Sequence, residues 1–148
     1  MGLDMYLSKK TYIGANYEHR KIEGTIALTK NGEEIKINLK RVSEIIESIG
    51  YWRKANHIHN WFVENVQDGE DDCKDYYVSD SALKKLLEDC KQALKNKAEA
   101  ATVLPTKEGF FFGGTDYDEY YFKNIEETIK IVETCLSEDG DYYYTSSW

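Results

Sequence analysis

Apolar positions along the chain switch between two spacings, and the switches mark its elements. Leu3, Met5 and Leu7 alternate with Asp4 and Tyr6, the period-two pattern of a half-buried strand. Residues 9–23 are polar and read as a loop. Residues 25–29 and 35–39 are β-rich runs on either side of Lys30-Asn31-Gly32, and Asn-Gly between two such runs predicts a hairpin. Residues 43–48 read as a short helix carrying Ile45, Ile46 and Ile49 and ended by Gly50. A second helix is expected over residues 51–67, then an acid-rich loop over 68–75. Ser79 or Asp80 caps a third helix with Leu83, Leu86, Leu87, Cys90 and Leu94 on one face. Leu104-Pro105 stops the connection that follows. The apolar stretch 109–114 between glycines reads as a strand entering a tight turn. A fourth helix buries Phe122, Ile125, Ile129, Val132 and Leu136 and ends at Gly140. Residues 141–148 form a last strand, expected to pair with the first. The sum is an α+β fold, an antiparallel sheet of about four to five strands with about three to four helices packed mainly on one face. With no repeat or linker visible, residues 1–148 are expected to form a single globular domain.

Charge narrows the partners. The chain carries 27 acids against 19 bases, net −8. Nucleic-acid binding rests on neutralising phosphates with Lys and Arg, so an acidic chain with no basic run is not expected to bind nucleic acid. No apolar run is long enough to span a bilayer, and the opening Met1-Gly2-Leu3-Asp4-Met5 has no basic region followed by an apolar stretch, so no signal peptide is expected. Cys73, Cys90 and Cys135 are odd in number and far apart. That is neither a disulfide framework nor a zinc site, and reduced thiols in a cytosol fit best. Twelve residues are Tyr. Tyr combines an apolar body with a polar tip, which suits either a binding site or the face of a sheet.

Chemistry concentrates in three segments. On a helix over 51–67, Tyr51, Ala55, Ile58, Phe62 and Val66 share an apolar sector. Trp52, Asn56, His59 and Val63 form a neighbouring stripe, where a pocket would draw its polar groups. His57 points the other way and is expected to be solvated. Arg53 and Lys54, near the helix start, would favour an anion there. Asp71 and Asp72 lack the spacing of a calcium loop, and His57 and His59 lack the i, i+4 spacing of a zinc pair, so neither a metal nor a cofactor is expected. Residues 113–121 join a glycine turn to a helix start without a P-loop signature. There Tyr117, Tyr120 and Tyr121 would stack or hydrogen-bond with a base or ribose. No catalytic set stands out; were the chain an enzyme, His59 would be the acid or base, and Asp72 or its neighbour Asp71 would assist it or hold a metal.

The opening MGLDMYL, the central GYWRKANHIHNWFVENVQDGEDDC, the later LPTKEGFFFG with TDYDEYYF, and the closing YYTSSW resemble a family of uncharacterised proteins encoded by bacteriophages and prophages. The resemblance covers nearly the whole chain. The family has no settled activity and so lends no catalytic residues. The chain departs from it in carrying His57 and in having Tyr121 where Trp is common, which argues against an essential metal role for His57. The resemblance implies expression in the cytoplasm of an infected bacterium. The expectation that follows is an anti-defence sponge. It would sequester a nucleotide-derived host signal, of the cyclic ADP-ribose or cyclic dinucleotide type, through Trp52, Arg53, Lys54, Asn56, His59, Tyr117 and Tyr120. A homodimer would cover exposed aromatics. The alternatives are an inhibitor that grips a host protein and a phosphodiesterase using His59.

Overall fold

Alternation carries the sheet. The computed structural model describes residues 2–14 and 16–148; Met1 of the MGLDMYL opening and Ala15 of the expected 9–23 loop lie outside them. Strand β1 runs Asp4–Tyr12, β4 Glu44–Arg53, β5 Tyr76–Val78 and β6 Asp141–Ser147, and they form one antiparallel sheet in the order β4-β1-β6-β5. Between β1 and β4 in sequence, β2 (Leu28–Lys30) and β3 (Glu33–Ile35) make a separate two-stranded hairpin. Its turn is Asn31-Gly32, with φ of 53° and 81°, the left-handed pair that a tight hairpin turn needs. The helices are α1 (Asn56–Val66), α2 (Asp80–Lys95), the short α3 (Ala100–Val103) and α4 (Glu119–Ser137).

One face of the sheet is covered and the other is wet. Met5 and Leu7 of β1, Gly50 and Trp52 of β4, Val78 of β5, and Tyr142 and Tyr144 of β6 point inward. Phe62 of α1 stacks on Tyr144 with ring centres 3.9 Å apart and lies 6.1 Å from the Trp52 ring. The Trp52 indole N–H donates to Thr128 Oγ1 of α4 at 2.8 Å, so α1 and α4 both seat on the inner face. On the outer face each strand carries a tyrosine, Tyr51 of β4, Tyr6 of β1, Tyr143 of β6 and Tyr77 of β5. Tyr51 and Tyr6 are 5.4 Å apart, and Tyr77 and Tyr143 5.7 Å.

Several expected elements differ. Residues 43–48 are not a helix but belong to β4, which extends to Arg53, so the helix expected from residue 51 begins at Asn56. Gly50 is not a helix stop: a Cβ there would stand 2.7 Å from Ile131 Cγ2, so its missing side chain lets α4 approach the strand. β-branched Ile45, Ile46 and Ile49 favour the strand over the helix. Residues 109–114 form a turn and not a strand, β1 runs on through part of the expected 9–23 loop, and β5 lies just past the acidic loop.

The chain divides into two compact units, Met1–Lys9 with Glu47–Trp148, and Lys10–Ile46. Every residue of the hydrophobic core cluster belongs to the first. In the second, no described residue is buried.

Candidate functional site

The site lies in the larger unit and is built by one asparagine. Asn56 opens α1 and is 1% exposed. Its Nδ2 donates to Phe112 O at 3.1 Å and Gly114 O at 2.7 Å, and its Oδ1 accepts from Lys107 N at 3.0 Å. One carboxamide therefore fixes three points of the loop between α3 and α4. Gly2-Leu3 holds a fourth, through Leu3 N to Phe111 O at 3.0 Å. Tyr117 closes the loop on itself, its hydroxyl accepting from Thr106 N at 3.2 Å.

Between this loop, Lys54 and the first turns of α1 and α4 is a recess of about 70 Å³, lined by Lys54, His57, Thr106, Asp116, Asp118 and Tyr120, with Gly114 and Tyr121. His57 is 3% exposed, and its Nε2 is buried without a hydrogen-bond partner. Its ring packs on Tyr121, centre to centre 4.1 Å. Burial lowers the His57 pKa to about 3, so the imidazole is neutral near pH 7, with one nitrogen an N–H and the other a lone pair. Asp118 caps α4, accepting from Tyr121 N at 2.9 Å. The Tyr120 hydroxyl donates to Arg53 O at 2.7 Å. Beside the recess, sharing Gly114, an open hollow runs along Glu108–Phe110 and Gly113–Thr115, with the Phe110 ring 94% exposed.

Of the expected ligand residues, Lys54 and Tyr120 line the recess. Arg53 and Tyr117 are bonded to lining residues, and Asn56 shapes the loop from behind. Trp52 is elsewhere: it lies in β4, 2% exposed, as part of the core. Lys54 is in the left-handed region at φ 55°, at the corner between β4 and α1 and not within a helix. His57, expected in solvent, is the correction that matters most. Residues 56–59 are all buried, because α1 is covered by the sheet on one side and by α2 and α4 on others. Tyr121, expected beside Tyr117 and Tyr120, also lines the recess, whereas Asp116, Asp118 and Thr106 had no signal of their own in the sequence beyond the glycine turn that precedes α4.

His59 belongs to a separate network. Its Nε2 is 3.0 Å from Asp71 Oδ2 and its Nδ1 2.7 Å from the Tyr144 hydroxyl. Since a carboxylate only accepts, Nε2–H donates to Asp71 and Nδ1 accepts from Tyr144. Trp148 Nε1 donates to the other Asp71 oxygen at 3.0 Å. The carboxylate at His59 is thus Asp71; Asp72 instead accepts from the Tyr76 hydroxyl at 2.9 Å and from Lys74 N. His59 is 1% exposed and Tyr144 fully buried, and burial holds the Tyr144 phenol well above its usual pKa. The chain of bonds clasps β6 to α1 and engages both imidazole nitrogens. Cys90 and Cys135 are likewise buried, and burial pushes the Cys135 thiol up to about 12. Among the described residues, no group of three or more His, Cys, Asp or Glu is placed to hold a metal ion, and no helix is long and apolar enough to cross a membrane. No protein-family profile, curated protein sequence or solved structure matches the chain, so its function has to be argued from the geometry of this recess and loop.

Proposed function

We propose that the chain is a small-molecule-binding protein that holds a nucleotide-derived signal at the recess and the adjoining hollow and gives it back unchanged. The observation that carries this reading is the unpartnered, buried His57 Nε2. A buried polar atom left without a partner costs about 1–3 kcal/mol, and a ligand that supplies the partner recovers it. A neutral imidazole is a poor host for phosphate, and so are Asp116 and Asp118. All three suit the donor–acceptor edge of a heteroaromatic base, with an exocyclic amine facing the carboxylates. Phe110 and Tyr120 offer faces for stacking, worth about 1–3 kcal/mol per base. Arg53 and Lys54 are the cations for phosphate groups that remain outside. Sequestration is favoured over hydrolysis because His59 spends both ring nitrogens within the fold and neither it nor a cysteine lines the recess. The resemblance to phage-encoded proteins supplies the setting, in which capturing an immune signal would blunt host defence.

The test is capture and release. Purified protein is incubated with cyclic dinucleotides and cyclic ADP-ribose isomers, washed, heat-denatured, and the supernatant analysed by chromatography. One compound released intact at a fixed stoichiometry is the expected result. A chemically altered compound overturns sequestration in favour of an enzyme, and no captured compound overturns the nucleotide reading altogether.

A further inference from the structure

The smaller unit, Lys10–Ile46, has the sequence of something that should be covered. It holds eight of the large apolar side chains that the chain leaves exposed, Tyr12, Tyr17, Ile22, Ile26, Leu28, Ile35, Ile37 and Ile46. They are organised. Leu28 and Ile35 are direct partners across the β2–β3 ladder, so they share one face. Ile26 and Ile37 stand two residues beyond the ladder on either arm. Two aliphatic side chains therefore share one face of the ribbon and two more flank its open end, each 40% to 44% exposed.

Such a unit does not stand alone. A two-stranded hairpin is at best marginal in water, and units below about 40 residues need disulfides, metals or association. The three cysteines all lie elsewhere, at Cys73, Cys90 and Cys135, and no metal-holding group exists among the described residues. The β1 and β4 ends tie the segment to the sheet, and its exposed aliphatic side chains are left for association to cover.

Charge names the partner. Residues 10–46 carry seven Lys or Arg and five Glu, net +2; the rest of the chain carries twelve bases and twenty-two acids, net −10. The segment is apolar and basic, and the body it belongs to is acidic. The outer sheet face of that body bears one tyrosine on each strand, with Tyr6, Tyr51 and Tyr77 37%, 49% and 55% exposed. Tyr rings pack against aliphatic side chains and attract Lys and Arg over their faces. We infer that residues 10–46 form an arm that docks on the tyrosine face of a second copy of this chain, each copy giving an arm and receiving one. Two-fold exchange uses each surface once and closes the assembly as a dimer.

The arm is tested on the full chain by sedimentation equilibrium over a wide concentration range. The unmodified protein runs at twice the chain mass, and raising the salt weakens the dimer, since arm and body attract by charge. Leu28→Glu with Ile35→Glu shifts it to the chain mass, and Tyr6→Ser with Tyr77→Ser does the same. Phe110→Ser, which alters neither set of residues, leaves it a dimer. Circular dichroism in the near ultraviolet, dominated by the aromatic core, checks that the Leu28/Ile35 variant keeps its fold. An unmodified protein that stays at the chain mass at every concentration overturns the inference. So does a dimer that survives either pair of substitutions.

Discussion

His57 is where the residue scale is most exacting. Its pKa is held at about 3 in the folded protein by burial, against about 6.5 in an unfolded chain. Between those values the unfolded state binds the extra proton, so stability falls as the pH drops from about 6.5 toward 3, at up to about 1.4 kcal/mol per pH unit. Urea titrations across that window should show the slope, and His57→Phe should remove most of it. The same substitution replaces an unpartnered buried nitrogen with carbon. At pH 7 the variant should therefore unfold at the same or a higher urea concentration while losing captured ligand. A variant that loses stability at pH 7 would mean that the nitrogen has a partner within the fold. Asn56→Ala is the contrasting case, because it strips three points of the loop from one anchor. About 2–3 kcal/mol of stability should be lost in denaturant titrations, with faster amide exchange at residues 107–114. In the sequence, Asn56 was legible as a polar residue at a special place. His57 was not, because a helical wheel assumes one covered side and α1 is covered on several.

At the scale of elements, caps and alternation were readable and one boundary was not. Ser79, one of the two caps expected for the third helix, is the cap found, its Oγ accepting from Ala82 N at 3.2 Å; the Asp118 cap of α4, accepting from Tyr121 N, was not singled out in the sequence. Ser79→Ala should lower stability by about 1 kcal/mol, read from the denaturation midpoint. Asp118→Ser should keep the cap yet remove a charge from the recess, leaving the midpoint nearly unchanged while ligand capture weakens. The β6 strand was plain from Tyr142, Tyr144 and Ser146 turning inward with Tyr143 and Thr145 outward. Residues 44–53 misled because Ile45, Ile46 and Ile49 fit a helical stripe as well as a strand. What decides between them is tertiary: the room that Gly50 leaves for Ile131, which no local pattern encodes. The same shift of boundary moved Trp52 from the flank of a pocket into the core, and with it the indole of the expected ligand stripe.

The whole molecule separates stability from exposure. The larger unit contains the entire core cluster, whereas the smaller has no buried residue among those described. Amide exchange should therefore be fast across residues 10–46 and slow in β6 and α4. Because an arm docked on a second copy is protected by association, exchange in residues 10–46 should slow as protein concentration rises, while the core rates stay fixed. Equal rates at all concentrations would leave the arm without a seat. The α+β class was legible because strand and helix periods alternate along the chain. The opposed charges of the two units, +2 and −10, were hidden inside a single net value until the structure drew the line between them.

The position of β6 has a consequence for how the protein is made. It lies between β1 and β5, yet it is synthesised after both of them. A ribosome that has delivered every residue up to α4 has produced β1 with one bare edge and a core lacking Tyr142 and Tyr144. Long-range pairing of this kind is slow and open to aggregation. The nascent chain is thus open to aggregation until β6 emerges, and a message that ends before β6 yields a chain in which His59 has no Tyr144 to hold.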